Sequence, residues 1–326
     1  MTIIDVAAAS DPSPDVARDL YDEALRSAWR SVGARLLVAA VVVPIVVAIA
    51  AADRSFRIAM GGSVFALLLW AGSSVRDLAR LRRSTPLESF QRDRQDEIEL
   101  SRHRTEHAVR LASLKTWDTY RLAGSLAFVF VLEIWTGSIP AVVGRAGLVK
   151  ASIVAGEWWR LVTASFLHAN LDHLMANVAA LLALGGLIEA YDRRLRLPLV
   201  YLLSVLGGSL ASLALTDKSG IGASGGIVGL AGYLLILAHQ RRVPAWIRSS
   251  MLLILSGTAF VGAVNYEFIG NAAHAGGAVT GAAVALLTGS DRSPAKEPVL
   301  DVLGWGAIVT LAIAAVFTAG RLVIGP

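Results

Sequence analysis

The sequence predicts an all-α protein that crosses a membrane many times, and three observations carry that prediction. Of its 326 residues, 55% are hydrophobic and only 17% are charged, against about 45–50% and 25% in an ordinary soluble domain. The apolar residues fall in runs close to the roughly 20 needed to cross 30 Å of hydrocarbon as a helix. The 30 glycines fit membrane helices, which tolerate Gly better than soluble ones do. The absence of cysteine excludes disulfides, thiol nucleophiles and thiolate metal sites. The net charge of +5 does not indicate nucleic acid, because the basic residues are distributed by loop instead of gathered on one face.

Taken in order, residues 1–35 read as a cytoplasmic N-terminus, with acidic residues and Pro12 and Pro14 where a signal peptide would be basic and apolar. Nine candidate spans follow, at 36–52, 58–75, 121–135, 171–190, 197–215, 224–237, 250–264, 272–287 and 302–323. The first two form a transmembrane hairpin, 36–75. Residues 76–119 are a charged cytoplasmic connector, too poor in apolar residues for a core and expected to form amphipathic helices. A six-span core occupies 120–290, and 291–326 supply a linker and one more span.

Orientation follows from Lys and Arg near the span ends. Arg193, Arg194, Arg196, Arg241, Arg242 and Arg248 mark one side, whereas 265–271 carry no basic residue. This predicts a cytoplasmic N-terminus, and the chain is expected in the cell membrane.

Polar residues inside such spans are functional candidates by default, and three stretches stand out. They are Trp159-Arg160 with His168, His173 and Asn177; Gly222-x-Ser224-Gly225; and Asn271 with His274, Gly277 and Gly281. All three follow an outer loop and so share one shallow layer. His173 and Asn177, at i and i+4, lie on one helix face. Gly225, Gly229 and Gly232 form one small-residue stripe, and Gly277 and Gly281 another below His274. Such stripes let membrane helices approach to backbone contact. If they face each other, Ser224 meets His274, and a hydroxyl beside an imidazole is a minimal activated nucleophile.

These motifs, with Gly185-Gly186-x-x-Glu189, resemble those of the rhomboid intramembrane serine proteases, over roughly half the chain. The resemblance implies a rhomboid-like six-helix core and cleavage of membrane-protein substrates near the outer leaflet. It implies Ser224 as nucleophile, His274 as general base, and His173, Asn177 and the Ser224 amide as oxyanion donors. His168, Asn271, Trp159 and Arg160 would be supporting residues, and no cofactor is needed. One departure is Val228, where many members carry an aromatic ring against the catalytic imidazole; Asn271 is a candidate to orient that ring instead. The N-terminal hairpin and connector lie outside the common core, and the ninth span resembles an extra C-terminal helix.

Alone, a membrane-helix serine usually packs and a lone His is usually a satisfied interior residue. The His173–Asn177 pair could simply bond across helices. Zinc is disfavoured, since no carboxylate completes a site and Asp172 points to another face than His173. A silent rhomboid-like binder would normally lack the Ser or the His. A transporter would carry ionisable groups at mid-membrane. Glu133 is left without a role, and substrate and oligomeric state are not legible.

Overall fold

The computed structural model describes residues 13–52, 116–193, 195–240, 245–264, 270–289 and 297–324, with scattered positions between 75 and 95. The predicted span 58–75 lies outside the described residues except Val75, as does most of the connector. The chain divides into two compact units, Met1–Ala112 together with Ala263–Asn265, and Ser113–Gly262 together with Tyr266–Pro326. Every regular element described is a helix or helical turn.

In the first unit, α1 runs unbroken over Pro14–Ala52, about 58 Å at 1.5 Å per residue. From Pro14 on, the expected N-terminal segment and the first span are therefore one helix. Its start is well specified: Ser13 Oγ accepts from the Val16 amide at 3.4 Å, and Pro14 sits where a missing N–H costs nothing. Further on, the Thr85 amide donates to Glu88 Oε2 at 2.9 Å and the Glu88 amide to Thr85 Oγ1 at 3.3 Å. That reciprocal capping box marks a helix start within the connector.

The second unit begins with α2, Trp117–Thr136, three residues before the predicted core boundary. Gly137 ends it at φ 95°, a conformation that favours Gly. Four short helical pieces follow: α3 (Ile139–Ala146), α4 (Lys150–Val154), α5 (Arg160–Thr163) and a 3-10 turn over Ala164–Phe166. Then come α6 (Leu171–Tyr191), α7 (Arg196–Leu215), α8 (Ser224–Gln240), α9 (Ala245–Val264), α10 (Asn271–Gly289) and α11 (Glu297–Ile324). Among these, α6, α7 and α11 are long and apolar enough to cross a membrane, and α8 and residues 247–263 are shorter apolar helices.

Helix α8 is central, for every residue from Gly225 to Leu234 is buried. Its neighbours come extremely close. A methyl group on Gly277 would collide with the Gly225 carbonyl, one on Gly281 with the Gly229 carbonyl, and one on Gly232 with the Ala278 carbonyl. The two predicted stripes thus face each other, α8 against α10. A second close contact was not predicted: on α10's other side, Gly276 meets the Gly207 carbonyl of α7, and Gly208 meets the Ala273 carbonyl. Outside this core, Trp135, Val154, Leu215, Leu287, Val302 and Val316 are all exposed. So much uncovered apolar surface on one bundle has lipid as its natural solvent.

The two ends of the bundle are tied differently. At the end away from Ser224, Glu189 accepts from the Asp118 amide (3.2 Å) and Thr119 Oγ1 (2.8 Å), a carboxylate placed on the first turn of α2. A methyl on Gly185 would strike Thr119, so the Gly-Gly-x-x-Glu motif serves this close docking. Arg193 and Arg196 there reach Glu297 at 3.2 and 2.9 Å, and Arg193 also reaches Asp301 at 2.9 Å, anchoring the start of α11.

Candidate active site

Ser224 opens α8, where the first amides of a helix have no intrahelical partner and face outward. The preceding turn needs Gly222 twice over. Its φ is +125°, and a Cβ there would lie 2.8 Å from Cε1 of His173. The turn is held from outside by the Gly222 amide, which donates to the Ala164 carbonyl at 2.9 Å, and by the Leu148–Gly220 backbone pair at 2.9 and 3.0 Å. Lys150 and Asp217 join the same two loops at 2.8 Å.

His274 lies in the first turn of α10, and the glycine contacts bring that turn against α8. Its Nε2 is 2.8 Å from Ser224 Oγ, within reach for proton transfer. With the ring proton on Nδ1, the hydroxyl donates and Nε2 accepts; this tautomer is an assignment. Nδ1 is buried and has no partner among the described residues. Val228 is buried as well.

Asn271 does not orient the imidazole. Its Nδ2 donates to the Gly262 carbonyl at 2.9 Å, so its bond ties α10 to α9. Its place at the first residue of α10 puts its amide within reach of the end of α9 instead.

His173 and Asn177 come to the same end of the bundle on α6, which Asn170 caps by accepting the His173 amide at 2.8 Å. The His173 ring lies beside Gly222 and hence beside the Ser224 turn. Asn177, however, donates Nδ2 to the His173 carbonyl at 2.9 Å. One of its two N–H groups is engaged with its own helix, and only the other is free to meet an oxyanion.

His168 is buried, with its ring edge-on to His173 at 5.1 Å. Its amide is received by both oxygens of Glu133 at 3.0 and 3.2 Å. Glu133 therefore ties the loop before α6 to α2. Sequence singled it out only as a carboxylate in an apolar span, because its partner is a backbone amide 35 residues away.

Arg160 is a loop clamp. Its guanidinium donates to the carbonyls of Val143 (3.3 Å), Gly144 (2.8 Å) and Gly147 (2.8 Å) at the end of α3, and Thr163 adds a bond to Ala146 at 2.9 Å. Apart from that of Val143, which also accepts the Gly147 amide, these are carbonyls that a helix C-terminus leaves open. Trp159 lies under Arg160, with the guanidinium carbon 4.6 Å from its ring centre. Among the described residues no group of three His, Asp or Glu converges to hold a metal ion.

Residues 155–291, which hold Ser224, His274, His173, Asn177, His168 and Arg160, match the Rhomboid domain family model. The matched stretch is a rhomboid-family domain. The chain is also similar to Rhomboid protease GluP of Bacillus subtilis (strain 168), 32% identical over 198 residues covering 59% of this chain and 38% of that one. RHOMBOID-like protein 6, mitochondrial, of Arabidopsis thaliana is 35% identical over 139 residues, 40% of this chain and 44% of that one. Rhomboid-related protein 1 of Caenorhabditis elegans is 36% identical over 142 residues, 39% of this chain and 38% of its own. The chain thus spans less than half the length of each of these relatives. The rhomboid match begins after α2 and ends before α11, so both flanking helices pack on the matched domain from outside it.

Proposed function

We propose that the chain is an intramembrane serine endopeptidase of the cell membrane, with the Ser224 end of the bundle outward and the N-terminus in the cytoplasm. The observation that supports this most is the 2.8 Å contact between His274 Nε2 and Ser224 Oγ. His274 takes the hydroxyl proton as Ser224 attacks the scissile carbonyl. The oxyanion meets the Ser224 amide, the free N–H of Asn177 and His173. The acyl-enzyme forms as the amine leaves with the proton from His274, and water releases it by the reverse steps. The substrate is a transmembrane segment entering from the lipid side, where α9 packs most loosely: none of its residues between Met251 and Gly262 is buried. Orientation rests on Arg193 and Arg196 at the opposite end. No cofactor takes part.

The test is covalent labelling of purified protein by a fluorophosphonate probe, alongside cleavage of single-span substrates in detergent. Wild type is expected to label and to cleave, and Ser224→Ala to do neither. Probe incorporation that survives Ser224→Ala, or a wild type that cleaves no single-span protein, overturns the reading.

A further inference from the structure

The last turns of α11 grip the loop that carries Trp159 and Arg160. Phe317 meets the Trp159 ring edge-on at 5.0 Å. The guanidinium carbon of Arg321 sits 5.2 Å from the same ring centre, so Trp159 interacts with two guanidiniums, those of Arg160 and Arg321. Arg145, on α3, donates to the Leu322 carbonyl at the exposed end of α11. The other end of α11 is anchored by Arg193 and Arg196 through Glu297 and Asp301. Close approach helps there too, for a Cβ on Gly304 would lie 2.6 Å from the Leu195 carbonyl. The helix therefore runs from the α6–α7 connection to the α3–α5 loop, held at both ends.

That loop leads directly to the site. Trp159 and Arg160 begin α5, the 3-10 turn follows without a break, and its Ala164 carbonyl accepts the Gly222 amide at 2.9 Å, two residues before Ser224. We infer that α11 is a positioning strut for the proposed acyl transfer. Phe317 and Arg321 are its positioning residues, acting through Trp159, Arg160 and Ala164 on the turn that presents Ser224 and its amide. Both lie beyond the matched rhomboid domain, in a helix that the sequence marks only as one more span. The inference rests on the serine-protease reading.

The experiment measures both the rate and the final extent of fluorophosphonate labelling in full-length detergent-solubilised protein. The proteins are wild type, Ser224→Ala, Phe317→Ala, Arg321→Gln, Arg321→Lys and the lipid-facing neighbour Val316→Ala. A 1 Å misplacement in an active site costs about 10²-fold; a loosened strut two contacts away is expected to slow labelling about tenfold, with the full extent still reached. Arg321→Lys keeps the cation and recovers part of the rate, and Val316→Ala labels as wild type does. A role in folding alone gives the opposite pattern, a lower final extent at the wild-type rate, and that result overturns the proposal. So do wild-type rates in both Phe317→Ala and Arg321→Gln. A wild type that does not label more than Ser224→Ala removes the protease reading and the strut with it, and is distinguishable from both.

Discussion

At the residue scale the proposed site is a serine–histidine pair with asymmetric support. Nε2 of His274 has Ser224, whereas Nδ1 is buried with no partner among the described residues, so the ring is held by packing more than by a third polar group. Asn177 is the less committed of the proposed oxyanion donors, because half of its amide is spent on the His173 carbonyl. Asn177→Ala is therefore expected to lower kcat for a single-span substrate by about 10-fold to 10²-fold, at or below the usual loss for an oxyanion-hole donor, with KM little changed. His168 carries a different consequence. Burial, with His173 beside it, pushes its imidazole down to about 4, despite the Phe166 carbonyl near Nδ1. A folded-state value below the unfolded one means that the unfolded chain takes up the proton first. Stability is thus whole at neutral pH and is lost as pH falls from about 6.5 toward about 4. Around pH 5 the loss attributable to His168 is about 2 kcal/mol. Thermal unfolding in detergent at pH 7.5 and pH 5 checks it, and His168→Gln is expected to remove that part of the acid sensitivity.

At the element scale, glycine decides which helices can touch. Helix α10 lies between α7 and α8, its backbone against theirs, and on the α7 side only the short side chains of Thr280, over Gly207, and Ala211, over Gly276, come between. Gly281→Ala places a methyl against the Gly229 carbonyl and is expected to cost about 1–3 kcal/mol, the usual range for overpacking. Gly306→Ala on α11, with nothing within 4 Å of the new methyl, is expected to be neutral or slightly stabilising. Melting midpoints of the two variants side by side measure the contrast. Because the Gly277 and Gly281 contacts also bring the start of α10 to the start of α8, a surviving Gly281→Ala protein is further expected to label more slowly with a fluorophosphonate.

At the scale of the whole molecule, the matched rhomboid domain is flanked in sequence by two long helices, α2 and α11, which pack on it and also on each other. α2 is joined to it through Glu189 at one end and Glu133 at the other, and α11 through Glu297 and Asp301. Arg196 is almost wholly buried while Glu297 is partly open to solvent. Removing the carboxylate leaves a buried guanidinium short of countercharge, so Glu297→Gln is expected to destabilise by about 2–3 kcal/mol, below the cost of breaking a fully buried pair. A lower melting midpoint, more marked at low salt, is the expected result.

Much of this was legible from local rules. Span length, the Gly222-Ala223-Ser224-Gly225 motif, the i, i+4 pairing of His173 with Asn177 and the two glycine stripes are all periodicities of a single helix, and helix geometry makes them readable. Elsewhere one-dimensional reading fell short. The expected division at residue 35 falls inside one 39-residue helix, because hydropathy changes along α1 while backbone propensity does not. Asn271 turned to Gly262 instead of His274, and Glu133, Gly207, Gly276, Phe317 and Arg321 found partners far away in the chain. The sequence by itself determined that the protein lives in a membrane, where most of its described long helices run, and which residues are candidates for chemistry, since these follow from composition and short-range spacing. Only the tertiary structure decided which faces meet, which polar group each buried donor satisfies, and that the last helix reaches back to the loop beside Ser224. Those outcomes depend on contacts between residues from nine to more than a hundred positions apart, and no period in the sequence encodes them.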